Sequence, residues 1–192
     1  MFPRCKVSGG FVLLAFWFIL VNGWEPLLTV LSAAAVHELG HWLTLRFLGA
    51  EITALRFSAL GAVLETDSGG LSYSGELAAV LAGPAANLLA AAALAAPEGG
   101  RWMAAVGAHL VLCLFNLLPI YPLDGGRALY LLASWLAGPA AGEAAVRWAG
   151  TVTAAALAAA LGYVMWRTGG SLWLLPALCA GVRWGLLPWF SR

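Results

Sequence analysis

Long apolar runs separated by short polar breaks dominate the chain. Six of them, at residues 7–24, 26–45, 77–96, 102–118, 148–166 and 171–190, approach the roughly 20 residues that a helix needs to cross the hydrocarbon core. The first is short and carries glycines, and the last is interrupted by Pro176 and Arg183. The pattern predicts an all-α polytopic membrane protein with about six transmembrane helices. A further apolar piece at residues 127–132 is too short to cross alone and reads as a half-helix. Residues 51–66 differ: Ile52, Leu55, Phe57, Leu60, Val63 and Leu64 are mixed with Thr53, Ser58 and Thr66 and broken by Gly61. That mixture suggests a short membrane-associated β-hairpin, with an irregular interfacial loop as the alternative.

Composition agrees with a lipid environment. The 192 residues are 62% hydrophobic and 10% charged, with a mean hydropathy of +0.87. Soluble domains carry about 25% charged residues, so this chain lacks the polar surface that water requires. A net charge of +1 and the lack of a basic run set nucleic acid aside. Cys5, Cys113 and Cys179 are isolated in sequence and read as small packing residues. The N-terminus, residues 1–6 followed by the apolar run 11–21, resembles a signal peptide, but no convincing small-residue cleavage site follows Asn22-Gly23-Trp24, so it is expected to remain as the first span.

Lys and Arg favour cytosolic loops. Six crossings from a cytosolic N-terminus place Arg4, Lys6, Arg46, Arg56, Arg127, Arg147, Arg183 and Arg192 inside, and only Arg101 and Arg167 outside. The expected location is therefore a membrane of bacterial cytoplasmic type, with both termini cytosolic. No break is long enough for an inserted domain of ordinary size. The chain is expected to form a single domain over residues 1–192.

Within the second run lies His37-Glu38-Leu39-Gly40-His41. Two histidines four apart on a helix share a face and can hold one zinc, and the glutamate between them can take a proton from an activated water. Ionisable groups in a membrane span are costly and are usually functional, so their position strengthens the reading. Glu38 is turned about 100° from its neighbours and is free to act as a base. Gly40 is expected to clear space beside the metal.

A second constellation is Asn116-Leu117-Leu118-Pro119-Ile120-Tyr121-Pro122-Leu123-Asp124-Gly125-Gly126. Its prolines and paired glycines predict a re-entrant, proline-broken segment that releases backbone groups near membrane depth. Asp124 is a candidate third zinc ligand, and Asn116 a candidate hydrogen-bond donor to a developing oxyanion. Taken alone the stretch also reads as an ordinary turn with a solvated aspartate. The His-Glu-His pair favours the ligand. His109, in the fourth run, reads first as a packed interhelical hydrogen-bond donor.

These two motifs together resemble the site-2 protease family of intramembrane zinc metalloproteases, and Gly83-Pro84-Ala85-Ala86-Asn87 is similar to that family's middle small-residue motif. The wording of the second stretch is closest to the sporulation branch. The resemblance implies zinc ligands at His37, His41 and Asp124, one Zn2+ per chain, Glu38 as catalytic base and Asn116 as a substrate-positioning residue. It implies a membrane-associated protein substrate such as a pro-sigma or anti-sigma factor, and membrane regulatory proteins as further partners. Neither a PDZ insertion nor a C-terminal CBS domain is expected. The rival expectation is a membrane zinc-binding or transport protein that uses the same ligands without proteolysis. Glu38 in the base position favours the protease.

Overall fold

A computed structural model describes residues 4–7, 9–58, 61–67, 70–96 and 100–167. The element order is β1 (Arg4–Val7), α1 (Gly9–Asn22), α2 (Trp24–Phe47), β2 (Glu51–Ser58), β3 (Gly61–Asp67), α3 (Tyr73–Ala95), α4 (Met103–Asn116), α5 (Asp124–Ala137) and α6 (Pro139–Arg167). The chain divides into two compact units, Met1–Phe115 and Asn116–Arg192.

In the first unit α1 and α2 are separated by Gly23, whose φ of 87° turns the chain where a side chain would be strained. The buried residues Ala33, His37 and Leu45 of α2 recur every fourth or eighth position, which is one face of the helix. Helix α3 starts on Ser72, whose hydroxyl accepts from the Gly75 amide at 3.2 Å. It buries Ala79, Gly83, Asn87 and Ala91 at four-residue spacing, with Val80 and Pro84 alongside. Small residues on both helices let the backbones approach closely: a Cβ at Gly40 would lie 2.5 Å from the Ala82 carbonyl oxygen and 2.8 Å from Ala86 Cβ. Gly40 therefore serves the contact between α2 and α3, and the expected role beside the metal passes to another glycine.

The segment at residues 51–66 forms strands. β2 and β3 pair antiparallel from Glu51 opposite Asp67 to Ser58 opposite Gly61, with a register shift between Ile52 and Ala54. β1 adds in parallel on the other edge of β2, giving the order β1-β2-β3.

In the second unit α5 and α6 pack against each other across Gly142, where a Cβ would lie 2.8 Å from the Tyr130 carbonyl oxygen and would overlap Ser134 Oγ. Pro139 opens α6, where its missing N–H costs no helical hydrogen bond.

Of the predicted spans, α3 and α6 are long and apolar enough to cross a bilayer. α1 and α4 have 14 residues each. That is about 21 Å of helix at 1.5 Å per residue, short of a hydrocarbon core of about 30 Å. α2 has the length, 24 residues, but carries Glu25, His37, Glu38, His41 and Arg46. The predicted half-helix is a full helix of 14 residues that begins at Asp124 and includes Gly125 and Gly126. The predicted span at 171–190 lies outside the described residues. Large apolar side chains face outward, with Leu89 72%, Trp148 70% and Trp166 78% exposed. A surface of that kind suits lipid better than water.

Candidate metal centre

The two histidines of α2 come together as their spacing requires. Their Nε2 atoms lie 3.1 Å apart, and the rings meet edge to face, with centroids 4.7 Å apart and an interplanar angle of 81°. His37 is buried and His41 half-buried. Each ring is held from its other nitrogen. His41 Nδ1–H donates to the Ala79 carbonyl oxygen at 2.8 Å, one turn before Gly83 on α3. His37 Nδ1 lies 3.1 Å from Nδ2 of Asn87, a residue with no exposed surface. The far side of Asn87 is also engaged: its Oδ1 accepts from His109 Nδ1 at 2.9 Å.

Gly83 supplies the space. A Cβ there would overlap His41 Nε2 and lie 2.7 Å from its Cε1, so only glycine leaves room for the imidazole. The histidines are thus oriented from α3 by a carbonyl, an amide and the lack of a side chain.

The donor chemistry fits zinc. Two nitrogens, each about 2.0–2.1 Å from one tetrahedral ion, are separated by roughly 3.3 Å, close to the spacing of the Nε2 pair. A hydrogen bond from the outer nitrogen of a ligand histidine to protein is the usual support of such a site; His41 has it on the Ala79 carbonyl, whereas His37 is held at that nitrogen by the Asn87 amide. Glu38 follows His37 directly and is half-buried.

The remaining predicted residues are carried by the second unit. Asn116, half-buried, is the last residue of α4. Asp124 is buried and is the first residue of α5, where the positive end of the helix dipole complements a carboxylate. Residues 117–123 fold tightly ahead of it, with the Ile120 amide on the Leu118 carbonyl at 2.7 Å and the Leu123 amide on the Ile120 carbonyl at 2.9 Å. Gly125 and Gly126 admit this turn: a Cβ on Gly126 would lie 2.5 Å from the Ile120 carbonyl carbon, and one on Gly125 would overlap the Leu117 carbonyl.

Asn87, named in the sequence only as the end of the Gly83-Pro84-Ala85-Ala86-Asn87 motif, is a site residue to which sequence reasoning assigned no role. Its signal was present, because an amide in an apolar helix four residues after a glycine shares that glycine's face. His109 is an interhelical hydrogen-bond partner, as expected, and through Asn87 it joins the same polar cluster.

No family model matches the chain. A Mycobacterium tuberculosis protein named "Putative zinc metalloprotease Rip3" is 32% identical over 198 residues, which takes in 95% of this chain and 47% of that protein. Stage IV sporulation protein FB of Bacillus subtilis is 30% identical over 130 residues, covering 60% of this chain and 43% of that protein. The chain thus spans about half the length of the curated relatives it matches. Among solved structures, the site-2 protease from Methanocaldococcus jannaschii superposes with a TM-score of 0.65 at 20% identity, covering 94% of this chain and 88% of that one. It shares the fold. The chain is thus similar in sequence to these two bacterial proteins and shares the fold of an archaeal site-2 protease.

Proposed function

We propose that the chain is a zinc metalloendopeptidase that cleaves a membrane-associated protein substrate. In this reading His37 and His41 hold the metal with Asp124 as third ligand, and two imidazoles with one carboxylate leave a fourth position for chemistry. The observation that carries the reading is the Nε2 pair at 3.1 Å, with both outer nitrogens tied to α3. Zinc in such a site activates water near neutral pH and polarises a carbonyl oxygen. Glu38, next to His37 but turned about 100° around the helix, takes the proton from the attacking water and returns it to the leaving amine. Asn116 donates a hydrogen bond to the developing oxyanion.

The domain reads as one unit over residues 1–192, crossing the membrane about six times with both termini in the cytosol. The eight-to-two distribution of Lys and Arg supports that orientation. A helical substrate hides its amides and must become extended to be cut. The β1-β2-β3 sheet offers an edge for strand pairing. The substrate proposed is a membrane-associated pro-sigma or anti-sigma factor, cleaved by regulated intramembrane proteolysis; the likeness to a protein named for sporulation is in keeping with a regulatory substrate. Metal transport would use the same ligands but has no task for Glu38.

Glu38→Gln tests the reading. The variant is expected to keep one zinc per chain, measured by elemental analysis, while cleavage of a co-reconstituted membrane-tethered substrate falls by about 10²–10⁴-fold. Full cleavage by the variant would refute the assignment.

A further inference from the structure

Asn87 sits between two imidazoles, and its orientation decides which nitrogen of His37 carries the proton. As the structure has it, Asn87 Nδ2–H donates to His37 Nδ1, and Asn87 Oδ1 accepts from His109 Nδ1–H. A neutral His37 that accepts at Nδ1 bears its proton on Nε2, which faces His41 Nε2. A neutral imidazole has one N–H and one lone pair, so this His37 cannot present Nε2 as a metal ligand. His41 has no such conflict: the Ala79 carbonyl can only accept, so His41 bears its proton on Nδ1 and leaves Nε2 a lone pair.

We propose that Asn87 is the positioning residue that selects the metal-binding tautomer of His37, through rotation of its amide by a half-turn between His37 and His109. This rests on the zinc reading above. Oxygen and nitrogen of the amide occupy nearly the same volume, so the rotation exchanges donor and acceptor without moving either helix. In the turned orientation Oδ1 accepts from His37 Nδ1–H and frees the Nε2 lone pair, while Nδ2–H donates to a lone pair on His109 Nδ1. Each imidazole gives the proton on one nitrogen to solvent and takes a proton from solvent on the other, so no net charge is created. His109 is the second anchor: its own tautomer must change with that of His37. Asn87 has no exposed surface, so no bulk water is at hand to substitute for either of its hydrogen bonds.

The test is zinc affinity of the purified full chain in detergent, measured by chelator competition, with the Co2+ ligand-field spectrum as an independent readout of the coordination. Asn87→Asp supplies an acceptor to both imidazoles without any need to turn. Its zinc Kd is expected to match or better that of the unsubstituted chain, with the spectrum unchanged. Asn87→Leu fills the space and offers no hydrogen bond, and is expected to weaken zinc binding about 10–100-fold. A purely structural asparagine predicts the reverse order, since a buried carboxylate is worse tolerated in an apolar helix than leucine. Zinc binding more than tenfold weaker in a folded Asn87→Asp chain would overturn the proposal, even if the leucine variant failed to fold. So would full zinc affinity in Asn87→Leu. Failure of the unsubstituted chain to bind one zinc would overturn the metal reading on which it rests.

Discussion

Glycine has opposite tasks in two regions of the molecule. On α3, Gly83 makes room for a side chain, the imidazole of His41. In the first turn of α5, Gly125 and Gly126 make room for backbone, the carbonyls of Leu117 and Ile120 in the preceding loop. An added methyl in the first region meets a functional group that can rotate away; in the second it meets peptide units that cannot move without undoing the turn. Occupying the first space should therefore disturb chemistry more than folding, and occupying the second should disturb folding first.

Four substitutions can break or sharpen that contrast. The largest effect is expected from Gly126→Ala, whose Cβ would lie 2.5–2.6 Å from three backbone atoms of Ile120 and Tyr121; a loss of about 3 kcal/mol is anticipated, visible as a lower unfolding midpoint in detergent. Gly83→Ala should weaken zinc binding roughly 10–100-fold through displacement of His41, with a much smaller shift in the same midpoint. A midpoint drop equal to that of Gly126→Ala would erase the distinction. Gly40→Ala presses on the Ala82 carbonyl from α2. Its expected cost is about 1–2 kcal/mol, with zinc affinity following only as far as the helices separate. Gly150→Ala is the control: its Cβ would sit 3.4 Å from the Pro119 carbonyl oxygen, an ordinary contact, and stability should stay within about 0.5 kcal/mol.

The same contrast explains what the amino-acid sequence disclosed. His37, Glu38 and His41 were readable because their spacing and their chemistry are local: one helix carries all three, and an apolar surrounding makes them conspicuous. Asp124 was readable as a candidate because the prolines around it announce a break. Partnership between helices is not local. Gly40 lies inside the metal motif, yet its neighbour is the Ala82 carbonyl; Gly83 lies in another helix, yet its neighbour is His41. Gly125 and Gly126 suggested broken helix, whereas they stand inside α5 because of the space around them and not their flexibility. The 51–66 hairpin was within reach because β-branched and aromatic residues flank Gly61. Its parallel partner β1 was not, since four residues near the N-terminus carry no alternation that separates a strand from the start of a span.

The most direct test of the central claim, that His37, His41 and Asp124 share one zinc, is zinc K-edge X-ray absorption on the purified full chain. Two imidazole nitrogens at about 2.0–2.1 Å with the remaining ligands oxygen are predicted, and the same spectrum from Asp124→Asn should show a changed oxygen shell. Sulfur ligands near 2.3 Å, or a single imidazole, would contradict the account.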